Sequence, residues 1–246
     1  ASYVYFTEFL ASHGFVVVAC DHVGSSRYTI LNGQVVKAGG ARLDASQADR
    51  PKDLLFLLNC LERMHLGADS RFAGRLDTDR CAVTGMSFGG WAAAKAVDLG
   101  DPRVKAAVLH CPSLARGTLD RAVETPVMTM IGTEDTVIGA EGNQLCHKYF
   151  EDARGPKYMV EIKPAGHVTF TSCEQYSATY GNGIGPSRSL TRPGEMYEPL
   201  AQEEAHAIIN HYTLAFLDAY LRGRMEKLKT LQCNDFGEVM ENKYAH

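Results

Sequence analysis

The segment RCAVTGMSFGGWAAAKA, residues 80–96, does most to fix what this chain can fold into. A short run of strand character gives way within a few residues to an alanine-rich stretch, so a strand must turn directly into a helix. The turn reads Gly85, Met86, Ser87, Phe88, Gly89, Gly90. A strand that enters a helix this abruptly forces the central residue into a strained backbone conformation. Side chains two before and two after it would clash, and glycine at 85 and 89 avoids this, while Gly90 lets the helix pack closely. The central residue stands at the helix N-terminus, where partial positive charge favours a developing oxyanion. Ser87 is therefore a candidate nucleophile. Its bland alternative, a serine among glycines, fits the strand-to-helix context less well.

The rest of the chain repeats the alternation. Residues 2–13 read as an amphipathic helix stopped by Gly14, and FVVVAC (15–20) as a buried strand. Residues 21–40 are polar and Gly-rich, hence a loop. A helix over 49–66 is expected, with Asp49 as cap, Pro51 in its first turn and Leu54, Leu57, Leu58 and Leu61 as its apolar stripe. Strands follow at 80–85, 104–110, 125–132 and 157–163, with helices at about 88–99 and 140–152 between them. Residues 171–200, rich in Gly, Pro, Ser and Thr, read as one long loop. A last helix covers 203–223, burying Ile208, Ile209, Tyr212, Phe216 and Tyr220 and ending at Gly223. Strands alternating with helices imply a parallel sheet covered on both faces, in one α/β domain spanning 1–246.

A serine hydroxyl needs a base, and the base an orienting acid. In such a sheet both come from loops beyond the C-terminal ends of later strands. Glu134 and Asp135 follow one strand and His167 follows the last, giving the chain order serine, acid, histidine. Asp135 is preferred as the acid, with Glu134 read as a solvated loop carboxylate. Of the nine histidines only His167 follows a strand end and a glycine at the right place. His110 also ends a strand but precedes the acid, so it reads as a core or rim residue.

Composition excludes several classes. With 25 basic and 29 acidic side chains the net charge is −4, and no basic run suits nucleic acid or an anionic membrane. The longest apolar runs are far too short to span a bilayer. Seven scattered cysteines leave at least one unpaired, and those at 20, 81 and 111 fall in or beside expected strands, so mostly reduced thiols are expected. Cysteine stands beside histidine in CDH, HC and CH, none with the spacing of a zinc site, so no metal is expected. Ala1 occupies the place of an initiator methionine, so this end carries no reading of localisation.

These residues resemble the α/β-hydrolase family, closest to the branch of dienelactone-hydrolase-like esterases that includes platelet-activating-factor acetylhydrolases and cutinase-type polyester hydrolases. LASHGFVVVACDHVGSS, RPKDLLFLLNCL, GRLDTDRCAVTGMSFGGWAA, DPRVKAAVLHCP, IGTEDTVI and AGHVTFT fall in the family's order. The resemblance implies an α/β-hydrolase fold, a catalytic set of Ser87, Asp135 and His167, the Phe88 N–H as one oxyanion donor, and no cofactor. Dienelactone hydrolases carry cysteine at the nucleophile, so serine leans the reading toward carboxylic esters.

The family's domain opens with three strands, and a loop after the third supplies the other oxyanion N–H. This chain begins in the helix after that loop, so it reads as N-terminally truncated against that pattern. Either the upstream part is lost or on another chain, or FVVVAC pairs directly with the strand at 80–85, the crossover through helix 49–66 permitting it. In the second case the amides of His22, Val23, Gly24 and Ser25 are expected to stand in as donors. The short connection between the strands at 104–110 and 125–132 leaves no room for a cap domain. The open cleft then suits short-chain or bulky, even polymeric, esters, with loop 171–200 and its Tyr176 and Tyr180 as one wall. A thioesterase or amidase, or a weakly active binding module, are the other readings. An exposed sheet edge slightly favours a homodimer over a monomer.

Overall fold

The computed structural model describes residues 3–26, 28–39, 41–119, 123–179 and 181–246. In chain order the main elements begin with α1 (Val4–Ser12), a small hairpin of β1 (Tyr28–Leu31) and β2 (Gln34–Lys37), and α2 (Ala41–Arg63). Then come β3 (Cys81–Met86), α3 (Phe88–Asp98), β4 (Val104–His110), β5 (Val127–Gly132), α4 (Gly139–Asp152) and β6 (Lys157–Ile162). A two-residue ribbon of β7 (Ser187–Arg188) and β8 (Met196–Tyr197) precedes α5 (Gln202–Arg222), α6 (Leu228–Gln232) and β9 (Met240–Ala245).

The central sheet has the order β3-β4-β5-β6-β9, parallel except for β9, which lies antiparallel on β6. Both faces are covered, and β5 is buried along its whole length, in keeping with its largely apolar sequence. One core layer joins α1 and α5 to the sheet through Phe6, Leu10, Ile208, Tyr212 and Phe216. The other lies under α2, α3 and α4, where Ala92, Ala93, Ala94 and Ala96 let α3 approach the strands closely. The register matches Met86 with His110 and His110 with Met130, so the strands end together and their following loops meet at one edge.

Five expectations give way here. The FVVVAC segment, residues 15–20, is extended but forms no strand, and it does not pair with β3. Phe15 and Val17 turn inward against the core while Val16 and Val18 are exposed, so its alternation is one-sided. A groove of about 360 Å³ lined by Phe15, Val17, Leu58, Leu61, Val83 and Leu217 runs between this segment and β3. Among the described residues no strand covers the outer edge of β3. Helix α2 begins at Ala41, not Asp49, so Pro51 sits inside it. The expected loop at 21–40 contains the β1–β2 hairpin, whose Asn32 and Gly33 both have positive φ (50° and 77°), the geometry of a tight primed turn. Loop 171–200 carries the β7–β8 ribbon, and Tyr180 lies outside the described residues. The tail beyond α5, unassigned from the sequence, supplies β9. No helix among the described residues is long and apolar enough to cross a membrane.

Candidate active site

Ser87 follows β3 and caps α3 with φ 58° and ψ −120°, a left-handed conformation that non-glycine residues adopt only under constraint. The surroundings impose it. A Cβ on Gly85 would lie 2.2 Å from the Gly89 carbonyl oxygen, and one on Gly90 2.9 Å from Pro112 Cβ. Gly89 differs from the sequence expectation, since a Cβ there would meet nothing within 4 Å. The clash at this turn runs from position 85 into the backbone of 89, and the close packing is at 90. Gly85→Ala is therefore expected to destabilise the fold by about 3 kcal/mol or more. Gly89→Ala should stay near the parent value, and urea denaturation of the two variants side by side checks the contrast.

The Ser87 N–H donates to His110 O at 2.9 Å, fixing the turn to β4. Phe88 opens α3, so its N–H belongs to the first turn, which has no intrahelical acceptor. Ser113, unnoticed in the sequence, donates its N–H to Ser87 O at 3.0 Å and brings its Oγ to 3.3 Å from Ser87 Oγ.

Beyond β5, Asp135 is fully buried. Its Oδ1 accepts the Val137 and Ile138 N–H groups at 2.9 and 3.0 Å, and its Oδ2 lies 2.6 Å from His167 Nδ1. The sequence thus brings its preferred acid and its preferred histidine into direct contact. Ser87 Oγ is hydrogen-bonded to Ser113 and makes no such bond to His167. Contacts of this kind commonly tighten only with substrate in place.

Glu134 is not a solvated loop carboxylate. It is 3% exposed and accepts bonds from Ser189 Oγ, Leu190 N, Thr191 N and Thr191 Oγ1. Burial alone would push its carboxyl up, but these bonds outweigh it and hold the group below the usual range.

Asn182, also missed, does the corresponding work for the histidine. Its Oδ1 accepts the His167 N–H at 2.9 Å and the Thr136 N–H at 3.1 Å, joining the acid and histidine loops on one atom. Its Nδ2 donates to Tyr197 Oη at 2.9 Å. A Cβ on Gly166 would come within 2.5 Å of Asn182 Oδ1, which explains the glycine before His167. No periodicity marks Glu134 or Asn182, because both act through a loop without repeating pattern. Loop 171–200 thus clamps the acid and histidine loops through Asn182 and through its bonds to Glu134, and its Tyr176 is 68% exposed.

His110 is buried, hydrogen-bonded through Nδ1 to Tyr3 Oη, and driven down to about 3 by burial, so it stays neutral, in keeping with a core residue. The Ser25 N–H donates to His22 O at 3.0 Å and so is already engaged. Arg50 links that segment to the site, bonding Ser25 Oγ and lying 4.2 Å from the Phe88 ring centre.

Among the described residues, two groups of side chains bring ligand-type atoms within 4.8 Å of one another: Cys20, His22 and Asp53, and Cys111, Asp135 and His167. Each offers three ligands, one short of a structural zinc site. His22 Nδ1 and Asp53 Oδ2 already satisfy each other at 2.6 Å. Burial and then the Asp135 charge push the Cys111 thiol well up, so it remains protonated. All seven cysteines are unpaired.

A mostly parallel sheet with helices on both faces, a strained serine turn after one strand and an acid–histidine pair after later ones define an α/β-hydrolase fold. Residues 1–183 match the family described as PETase, PET hydrolase-like, and the chain belongs to that family. Among solved structures it is similar to a ferulic acid esterase from Streptomyces cinnamoneus, at 24% identity and a TM-score of 0.65. That likeness covers 87% of this chain but 61% of the esterase, and it speaks to the fold. No protein of curated function matches the sequence.

Proposed function

We propose that this protein hydrolyses carboxylic esters through an acyl-enzyme on Ser87. The observation that carries the reading is the 2.6 Å bond between buried Asp135 and His167, at the same sheet edge as a serine held at positive φ. Ser87 Oγ attacks the ester carbon as His167 takes its proton, and Asp135 keeps the imidazole in the tautomer that accepts it. The carbonyl oxygen becomes an oxyanion facing the Phe88 N–H at the start of α3. Collapse of the intermediate expels the alcohol with a proton from His167. Water, deprotonated by the same ring, then releases the acid and restores Ser87.

Membership of a PET hydrolase-like family favours short-chain or bulky, including polymeric, esters. A second reading, a binding module on the same fold, is favoured by the bond Ser87 does not make to His167. Intact mass after treatment with a fluorophosphonate probe separates the two. One adduct, lost in Ser87→Ala, supports the hydrolase. No adduct on a chain folded by circular dichroism supports the binding module.

The Asn182 bridge adds a prediction. Asn182→Ala leaves the His167 and Thr136 N–H groups without their acceptor. A shift of the base by a fraction of an ångström is expected to lower kcat by about 10²-fold with little change in KM. Asn182→Asp keeps an oxygen at that place and should recover most of the loss. Steady-state kinetics of the pair on one ester tests this.

A further inference from the structure

The residue that follows the nucleophile is held by two cations. The Arg50 guanidinium lies 4.2 Å from the Phe88 ring centre and that of Arg116 lies 4.1 Å from it. Among the described residues neither arginine has a carboxylate partner. Arg50 donates to Ser25 Oγ, but its Nε is buried without an acceptor. The nearest acidic influence on Arg50 is Asp53, whose carboxylate is bonded to His22. Burial, and after it the charge of Arg116, press the Arg50 proton toward release, while the Asp53 charge acts the other way.

The pair is built rather than accidental in placement. Arg116 ends the short turn Leu114–Arg116, whose preceding residue is Ser113, the one whose hydroxyl touches Ser87 Oγ. That turn is tied down on both sides. Gln47 Nε2 donates to Arg116 O at 2.5 Å, and Trp91 Nε1 donates to Gly117 O at 3.4 Å. Arg50 comes from α2, is half-buried, and so has limited freedom to leave. A guanidinium resting on an aromatic face keeps its in-plane N–H groups free, and those form the fork that carboxylates fit. An anion bound by the two would relieve their repulsion.

We propose that Arg50 and Arg116 form a carboxylate-recognition site beside Ser87, so that the preferred substrates are esters carrying a free carboxylate, such as half-esters of dicarboxylic acids. This rests on the ester-hydrolase reading above and names its substrate class. The negative net charge of the chain makes the pair a local feature, so the preference comes from the site and not from overall attraction.

The test compares monoethyl adipate with diethyl adipate as substrates of the full chain, of Arg116→Gln and of Arg50→Gln. The half-ester is expected to have the higher kcat/KM by about 10-fold or more, a hydrogen bond to a charged group supplying that range. In Arg116→Gln the ratio of half-ester to diester should fall by about 10-fold, chiefly through KM, and the preference should shrink as salt is raised. Arg116 is exposed, so this variant keeps the proposal testable if half-buried Arg50 is needed for folding.

Ser87-dependent turnover of the diester with no half-ester preference, or an unchanged ratio in Arg116→Gln, overturns the carboxylate site and leaves the hydrolase standing. No turnover of either ester overturns the hydrolase instead, and calorimetry with adipate dianion then decides. Binding that is lost in Arg116→Gln supports the site, and no binding to the parent chain overturns it.

Discussion

Ser87→Ala is expected to cut ester turnover by about 10⁴- to 10⁶-fold and to abolish fluorophosphonate labelling. On the proposed mechanism, removal of the Ser87 hydroxyl leaves only substrate binding and oxyanion stabilisation, and that residue of catalysis is small. The fold should survive the change. The hydroxyl's one hydrogen bond is to Ser113, while the turn is held by backbone bonds from Ser87 and Ser113 and by the contact of Gly90 with Pro112. Alanine accepts the positive φ about as poorly as serine does, so no new strain enters. A variant that folds, by circular dichroism and urea denaturation, yet keeps turnover within tenfold of the parent would place the chemistry elsewhere.

Asp135→Asn should cost about 10⁴-fold in kcat, for a reason visible in its contacts. Three donors converge on this carboxylate: the Val137 and Ile138 N–H groups on Oδ1 and His167 Nδ1 on Oδ2. A carboxylate accepts all three, but asparagine has one oxygen and one NH₂ group. With the NH₂ toward His167, the imidazole must accept at Nδ1, which puts its proton on Nε2 and spoils the base. With the NH₂ toward the two backbone amides, donors face donors in a site without water access. Either orientation leaves a buried donor unpaired, a loss of about 1–3 kcal/mol in stability besides the loss in rate. Kinetics and urea denaturation on the same preparation measure the two effects, and a rate within tenfold of the parent would dismiss Asp135 as the orienting acid.

The parts of the molecule legible in the sequence are those with a local signal. The β5 and β6 strands announce themselves as short, largely apolar runs, VMTMIG and KYMVEI, and α3 as alanines after a glycine turn. Asp135 and His167 fall just beyond strand ends, where an α/β sheet places reactive side chains, and they meet as the chain order suggested. What escaped has no local signal. FVVVAC has strand composition, but a strand exists only with a partner, and among the described residues none lies beside it. Asn182 and Ser113 matter through distant contacts, Glu134 through a cage of Ser189, Leu190 and Thr191. The Asn32-Gly33 turn is the exception, a local hairpin signal between two four-residue strands that the polarity of residues 21–40 masks.

Among the described residues the strand that delivers Ser87 lies at one edge of the sheet. β4 grips β3 from one side, while the other side faces the groove beside residues 15–18. A strand laddered on both edges is stiff, and one laddered on a single edge bends about its remaining neighbour. Among the described residues Ser87 is therefore carried by a strand laddered on one side, and the backbone bonds of its turn to His110 and Ser113, with the packing of α3, keep its strained backbone angle. Whatever rests along the free edge of β3 acts as a brace. Amide exchange along Cys81–Met86 would read its stiffness, and the rate of the chemical step at Ser87 would follow the same tuning.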